Sequence, residues 1–269
     1  MRYLQLVNHD DAKMYRHVAF ATAFTSYRKN EAAVIARFAE FQARIGMLHS
    51  LAKAGPPLNK VQDKLRNLYD CSIREVLEFK NAIRHQFGPG CPYCGENCTT
   101  PDIDHYLPRI SYAEYSLYSW NLVPSCTQCN RIFSSSVAKG ADFLYPFGDK
   151  FLKQRVLAVQ FQWIGQAEFT INLKGRSNLG PAERTRIDHH ISMLRLSERF
   201  ANYAISEILS FRRLALKSGD LVNYLGLEAA RHISVRGPNS WPSLLCDALA
   251  SNQAMIAWLT RQAEASENP

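Results

Sequence analysis

The sequence predicts a mostly helical α+β protein in which a short β-containing segment lies between helical stretches. Apolar residues recur at spacings of four and three before residue 88, as in Val34, Phe38 and Phe41, which places them on one face of a helix. Helical periodicity returns after Pro181. Before it, residues 155–174 alternate apolar and polar side chains around a central glycine, which indicates two strands joined by a turn.

Glycine and proline mark the ends of the expected helices. Tandem proline in Ala54-Gly-Pro-Pro57 removes backbone donors and restricts φ, so the first helical stretch must end before it. Phe87-Gly-Pro-Gly90 ends the second stretch, and Gly237-Pro-Asn-Ser240 precedes the last one. Helices are therefore expected over residues 12–50, about 60–84, from Gln128 onward, from 181 onward and over about 242–262.

The composition is that of an ordinary globular protein. With 269 residues, 46% hydrophobic and 21% charged, the chain can bury a sizeable core and does not resemble a disordered protein. No stretch approaches the roughly 18 consecutive apolar residues that a membrane helix needs. Residues 1–11 lack the apolar core of a secretion signal. We therefore expect a cytoplasmic protein with no membrane segment.

Charge is unevenly distributed along the chain, whose formal net charge is +8. Residues 91–150 hold four Lys/Arg and six Asp/Glu, a net charge of −2, whereas residues 1–90 carry +6 and residues 151–269 carry +4. A protein that binds phosphate groups needs positive surface near its site. If the middle segment carries the chemistry, the flanking segments are expected to supply most of the contacts to an anionic substrate.

Four of the seven cysteines form two CxxC pairs, Cys91-Pro-Tyr-Cys94 and Cys126-Thr-Gln-Cys129. Each pair can supply two thiolates to one tetrahedral Zn²⁺. Buried thiols or redox cysteines are the alternative, but two pairs within 39 residues favour zinc. A site with four thiolates has no open coordination position, so we expect structural rather than catalytic zinc.

Three polar residues near the cysteine pairs form a set suited to phosphodiester hydrolysis. That reaction needs a base to activate water and a cation to neutralise charge at phosphorus. His105 is a candidate base, because imidazole titrates near neutral pH. Asp104 would point to the other side of a strand, and with Asn130 it offers oxygen ligands suited to Mg²⁺ or Mn²⁺. The simpler interpretation is a surface His–Asp pair and a helix-capping asparagine.

Four short motifs surround this set in order: CPYC from Cys91, DHYLPR from Asp104, WNLVPSC from Trp120 and CTQCN from Cys126. In this order and spacing they resemble the HNH nuclease family, also called ββα-metal nucleases, over residues 91 to about 136. The resemblance implies a compact zinc-bound ββα-metal module embedded between helical segments. It does not extend to the rest of the chain.

The resemblance also implies a role for each polar residue. His105 matches the general base, and Asp104 and Asn130 match ligands of the catalytic Mg²⁺ or Mn²⁺. Asn121 matches the asparagine that braces the loop carrying the histidine. Asn130 stands where many members have histidine, so the chain would be an HNN variant.

Two further positions bear on the site. Phe133 stands where members of the family often have lysine, which raises the possibility of a structural subunit with a degenerate site. A phosphate contact from this region would then come from Arg109 or Arg131. Asp102 is interpreted as a turn residue after Pro101, with a carboxylate that supports the metal ligands as the alternative.

The expected organisation has three segments: a helical segment over residues 1–88, the HNH module over residues 89–150, and a β-hairpin followed by helices over residues 151–269. The expected function is metal-dependent endonucleolytic cleavage of nucleic acid, with DNA as the expected substrate and RNA left open. HNH modules within helical extensions resemble effector nucleases of prokaryotic antiviral defence, which implies an ATPase or sensor protein as a partner. The alternative is a non-catalytic zinc module that binds nucleic acid or a protein.

Overall fold

The computed structural model describes residues 1–6, 9–21, 25–86, 88, 90–135, 143–165, 168–215 and 220–264, with the backbone alone for 133–135 and 212–215. The chain forms two compact units. The N-terminal unit comprises residues 3–93 and 98–150, and the C-terminal unit comprises residues 151–269 together with residues 1–2 and 94–97. Except for residues 1–2 and 94–97, the helical segment and the module expected from the sequence thus share one unit. The expected three-segment division stays a prediction.

The N-terminal unit begins with helices and ends with a small two-stranded sheet followed by a helix. The helices α1 to α5 span Asp11–Ala21, Thr25–Lys29, Glu31–Ala43, Gln62–Asn67 and Arg74–His85. The strands β1 and β2 span Asp102–His105 and Leu122–Ser125, and helix α6 spans Thr127–Ser135.

Two predicted helices of this unit are divided in the structure. The prediction of one helix over residues 12–50 is wrong, because α1, α2 and α3 occupy that stretch and Asn30 separates the last two. The second predicted helix is divided between α4 and α5 at residues 68–73, where Asp70, Cys71 and Ser72 lie. Short polar side chains compete for backbone hydrogen bonds and favour such breaks. The predicted helix beginning near Gln128 is confirmed as α6.

Strands β1 and β2 pair antiparallel, with Asp104 opposite Val123 and His105 opposite Leu122. The connection over residues 106–121 contains two turns of 3-10 helix, Ala113–Tyr115 and Ser119–Asn121. Helix α6 follows β2 and packs against β1, and helix α5 packs against both strands. The small sheet therefore lies between helices that come before and after it in the sequence.

An aromatic cluster forms the core of the N-terminal unit. Tyr115 and Tyr118 are almost fully buried, and the ring of Tyr118 stacks on Phe38 with centroids 4.2 Å apart. Their hydroxyls donate to the backbone carbonyl oxygens of Arg37 and Phe38, at 3.0 and 3.1 Å. Buried tyrosines usually satisfy their hydroxyl in this way. These rings pack the loop between β1 and β2 against α3 and are not available to stack on a ligand.

The described residues of the C-terminal unit form a β-hairpin and five α-helices. Strands β3 and β4 span Leu157–Ile164 and Glu168–Gly175, and the register runs from Leu157 opposite Gly175 to Ile164 opposite Glu168, which confirms the predicted hairpin. The helices α7 to α11 span Pro181–Met193, Leu196–Ala215, Leu221–Arg236, Trp241–Ala250 and Gln253–Glu264.

The prediction of one helix over residues 242–262 is wrong, because Ser251 and Asn252 separate α10 from α11. The side-chain oxygen of Asn252 accepts a hydrogen bond from the backbone N–H of Met255 at 3.1 Å, which satisfies a donor in the first turn of α11. The described secondary structure confirms the mostly helical α+β class. Among the described residues, no helix has both the length and the apolar character needed to cross a membrane.

Candidate metal and catalytic site

The four cysteines of the two CxxC pairs come together in the structure. The sulfur atoms of Cys91, Cys94, Cys126 and Cys129 all lie within 4.8 Å of one another, and all four residues are buried. The backbone N–H groups of Cys126 and Cys129 lie 3.4 Å from the sulfurs of Cys91 and Cys126. Four converging buried sulfurs with amide donors fit a tetrahedral metal ion such as Zn²⁺. The structure therefore supports the predicted cysteine cluster as a metal-binding site.

The first CxxC pair is followed by a glycine that the local backbone requires. Gly95 has φ +86°, a conformation that residues with a Cβ rarely adopt. A Cβ at this position would also collide with the carbonyl oxygen of Asn239. The turn places the backbone N–H of Glu96 3.4 Å from the sulfur of Cys94. Position 95 thus requires glycine for two reasons, its positive φ and the close approach of the Asn239 backbone.

His105 is the last residue of β1, and its ring is held by the loop that follows the strand. Its Nε2 lies 3.1 Å from the carbonyl oxygen of Ser116. A carbonyl oxygen only accepts hydrogen bonds, so Nε2 must carry a proton and the lone pair of the neutral ring lies on Nδ1. The ring of Tyr69 meets His105 edge to face, with centroids 4.5 Å apart. The side chain is half-buried, as a base that must reach water would be.

Asn121 ties the loop between β1 and β2 together. It is fully buried, and its Oδ1 accepts from the backbone N–H of Leu107 at 2.7 Å. Its Nδ2 donates to the carbonyl oxygens of Leu107 and Tyr115, at 3.0 and 3.3 Å. Tyr115 immediately precedes Ser116, whose carbonyl oxygen accepts the hydrogen bond from Nε2 of His105. These are the contacts that a residue bracing the histidine would make.

Asp104 lies on the other side of β1 from His105 and has a different environment. It is 4% exposed, and its Oδ2 accepts a hydrogen bond from the hydroxyl of Tyr93 at 2.7 Å. Burial, and then the negative charge of Asp104, raise the pKa of Tyr93 well above its ordinary value, so Tyr93 remains a neutral donor. A hydrogen bond of this kind fixes the orientation of a carboxylate, as outer groups do for metal ligands.

Asp102 is closer to the site than the sequence suggested. Its interpretation as a turn residue is wrong, because it belongs to β1 and pairs with Ser125. Being two residues apart on one strand, Asp102 and Asp104 share a face of the sheet. The Nδ2 of Asn130, on α6, lies 3.4 Å from Oδ2 of Asp102. The period-two alternation of a strand was the signal that could have placed Asp102 with Asp104.

The two arginines expected to contact phosphate have different surroundings. The Nη1 of Arg109 lies 2.8 Å from Oδ2 of Asp70, and its guanidinium lies 5.4 Å from the ring centroid of Tyr69. Arg131 is exposed on α6. The side chain of Phe133 lies outside the described residues, so its predicted effect on phosphate binding stays a prediction.

Comparisons with known proteins identify one partial relative. No family model matches the chain, and no solved structure matches it. Protein ea31 of Escherichia phage lambda is 27% identical over 173 residues, which cover 59% of this chain and 58% of that protein. The chain therefore spans little more than half the length of this curated relative. A match of this identity and coverage does not assign the chain to a family.

Proposed function

We propose that this chain is a metal-dependent endonuclease of the HNH type that hydrolyses phosphodiester bonds of nucleic acid, with DNA as the proposed substrate. The observation that carries the proposal is the arrangement around His105. A histidine whose Nε2 is bound to a backbone carbonyl ends the first of two antiparallel strands, and the helix that follows those strands carries Asn130 close to an aspartate of the same strand.

His105 would act as the general base. The contact with the Ser116 carbonyl selects the tautomer whose Nδ1 can take a proton from water. It also stabilises the imidazolium that forms, because a carbonyl oxygen is a good partner for a charged N–H donor. Asn121 would act as a positioning residue, since it links Leu107 to Tyr115 on either side of the loop that presents this carbonyl.

Asp102, Asp104 and Asn130 would hold the catalytic cation. Carboxylate and amide oxygens are the hard donors that Mg²⁺ and Mn²⁺ prefer. Asp102 enters this set because Asn130 contacts it directly. When bound, the cation would neutralise negative charge at the phosphate. The amide group of Asn130 can turn its oxygen toward a cation, since the two orientations of an amide have nearly the same shape.

The four cysteines would hold Zn²⁺ with a purely structural role. All four sulfurs would be ligands, so no position would be open to water or substrate. The zinc would fix the start of α6 relative to the first CxxC turn. This matters for catalysis because Asn130 directly follows the last cysteine of the cluster.

A non-catalytic zinc module that binds nucleic acid or protein is the second candidate. The observation in its favour is the engagement of Asp104, which is buried and bound to Tyr93. The expected context of the nuclease is prokaryotic antiviral defence with an ATPase or sensor partner. This context rests only on the resemblance of the motifs.

Nicking of a supercoiled plasmid with added Mg²⁺ or Mn²⁺ tests the proposal. The unsubstituted chain should nick the plasmid, and His105→Ala should abolish nicking while the zinc content stays the same. His49→Ala is the matched control, because His49 is exposed in the same unit. If His105→Ala nicks as well as the control variant, the binding module is the better assignment. The same holds if the unsubstituted chain cuts no plasmid even when the protein encoded by the neighbouring gene is added.

A further inference from the structure

A cluster of cations surrounds Tyr69, next to His105. The ammonium of Lys80, on α5, lies 4.3 Å from the ring centroid of Tyr69 and donates to the backbone carbonyl of Tyr69 at 3.0 Å. The guanidinium of Arg109 lies 5.4 Å from the same centroid. Both distances are within the range of cation–π attraction. The ring of His105 also contacts this ring, at 4.5 Å between centroids.

A third cation belongs to the same neighbourhood. Arg84 lies one turn after Lys80 on α5, and its charge acts on both Tyr69 and Lys80. Burial, then the charge of Arg84, lowers the pKa of Lys80, and Arg109 adds to this effect. Asp70 offsets part of the positive charge through its ion pair with Arg109. Lys80 therefore lies close enough to Arg84 and Arg109 to be repelled by both, around a ring that contacts the candidate base.

This cluster supplies positive charge, which the zinc-binding segment lacks. Residues 91–150 carry a net charge of −2, so a phosphate approaching His105 would otherwise meet mostly acidic groups. Lys80 and Arg84 come from the N-terminal helical segment, outside the motifs that resemble the nuclease family. Helix α5 brings them to the sheet because it packs against β1 and β2.

We propose that Tyr69, Lys80, Arg84 and Arg109 form a site for the phosphodiester backbone of nucleic acid beside His105. The proposal rests on the proposed function, because it takes His105 as the reacting end of the site. An anionic phosphate would relieve the repulsion among the three cations. The Tyr69 hydroxyl would add a hydrogen-bond donor, and Lys80 would bind as a point charge while Arg84 and Arg109 offer forked donors.

A structural role for Lys80 is the simpler alternative, because its ammonium already bonds to a carbonyl and lies over an aromatic ring. Salt dependence separates the two roles. A residue that contacts phosphate contributes to the slope of log affinity against log salt, whereas a residue that only packs does not. Arg84 is the more informative position, since its Nη1 donates to Asn81 within its own helix rather than to a backbone group of another segment.

The test measures binding of a fluorescent DNA duplex to the full chain between about 50 and 200 mM KCl, with no added Mg²⁺ or Mn²⁺. We expect Arg84→Gln and Lys80→Gln each to weaken binding about fivefold and to reduce the salt slope by about one. Arg74→Gln, at the start of the same helix with an exposed ion pair to Glu78, should change neither quantity. Circular dichroism checks that each variant is folded. If Lys80→Gln is unfolded, the salt slope of Arg84→Gln decides whether the phosphate site exists.

The outcomes separate this proposal from the nuclease proposal. Unchanged salt slopes in both glutamine variants would overturn the phosphate site, even if affinity falls, and would leave His105 to be judged by plasmid nicking. The absence of any duplex binding would overturn it as well. Reduced slopes in a chain that nicks no plasmid would retain the phosphate site and remove the nuclease assignment.

Discussion

The buried carboxylate of Asp11 makes the stability of the N-terminal unit depend on pH. Asp11 begins α1, is 8% exposed, and accepts hydrogen bonds from the backbone N–H and the hydroxyl of Ser119, at 2.9 and 2.7 Å. Ser119 begins the 3-10 turn that contains Asn121. Burial raises the pKa of Asp11 from 3.8 to about 6, against the opposing effect of the Ser119 hydrogen bonds.

The direction of the pH effect follows from this shift. A carboxyl group whose pKa is raised on folding favours the folded state most when it is protonated. Its contribution is therefore fully present below pH 3.8 and is lost as the pH rises through about 6. A shift of about two units corresponds to about 3 kcal/mol of unfolding free energy. Asp11→Asn removes the titration while its amide can still accept from the Ser119 N–H and donate to the hydroxyl.

Urea unfolding from about pH 4 to about pH 7.5 measures this effect. Between these limits, the unsubstituted chain should lose about 2.5 kcal/mol of stability relative to Asp11→Asn, since the first part of the titration lies below pH 4. Asp63→Asn is the control, since Asp63 is a largely exposed aspartate in the same unit. If the stability difference between Asp11→Asn and the unsubstituted chain is the same at both ends of the pH range, the reasoning is refuted.

Two further predictions concern the candidate site. Cys129→Ser should lower the zinc content and reduce the melting temperature by more than about 5 °C, because metal binding contributes folding free energy. Cys98→Ser, outside the four-cysteine cluster, should change neither, and an unaltered melting temperature in Cys129→Ser would contradict a structural zinc site. Asn121→Ala should destabilise the chain by about 3 kcal/mol in urea unfolding, because it leaves the N–H and carbonyl of Leu107 without their side-chain partner in a buried loop. A loss below about 1 kcal/mol would show that the loop holds without this brace.

Local spacing was enough to predict several features from the sequence alone. Two thiols in each CxxC pair are held within one turn by covalent geometry, so their convergence on a metal was predictable. The hairpin of β3 and β4 follows from alternation around a central turn. The helix after the second CxxC pair was also predicted, because its signals lie within a few residues of one another.

Helix boundaries could not be predicted with the same accuracy. Continuous apolar periodicity suggested one helix before residue 50 and another at the end of the chain, but Asn30 and Asn252 lie at breaks in them. The stability of a helix end depends on capping and on what its last turn packs against. The packing partners lie far away in the sequence, so periodicity alone does not reveal them.

The arrangement of the candidate site depends on contacts between distant segments. The sequence by itself determined which residue types were available: His105, Asp104, Asn121, Asn130 and the paired cysteines. Only the tertiary structure placed the Ser116 carbonyl on His105, Asp102 beside Asn130, and Tyr69 with its neighbouring cations next to His105. The physical reason is that hydrogen bonds and charge interactions act over a few ångströms of space, and the chain distances that separate these groups carry no information about them until the core has packed.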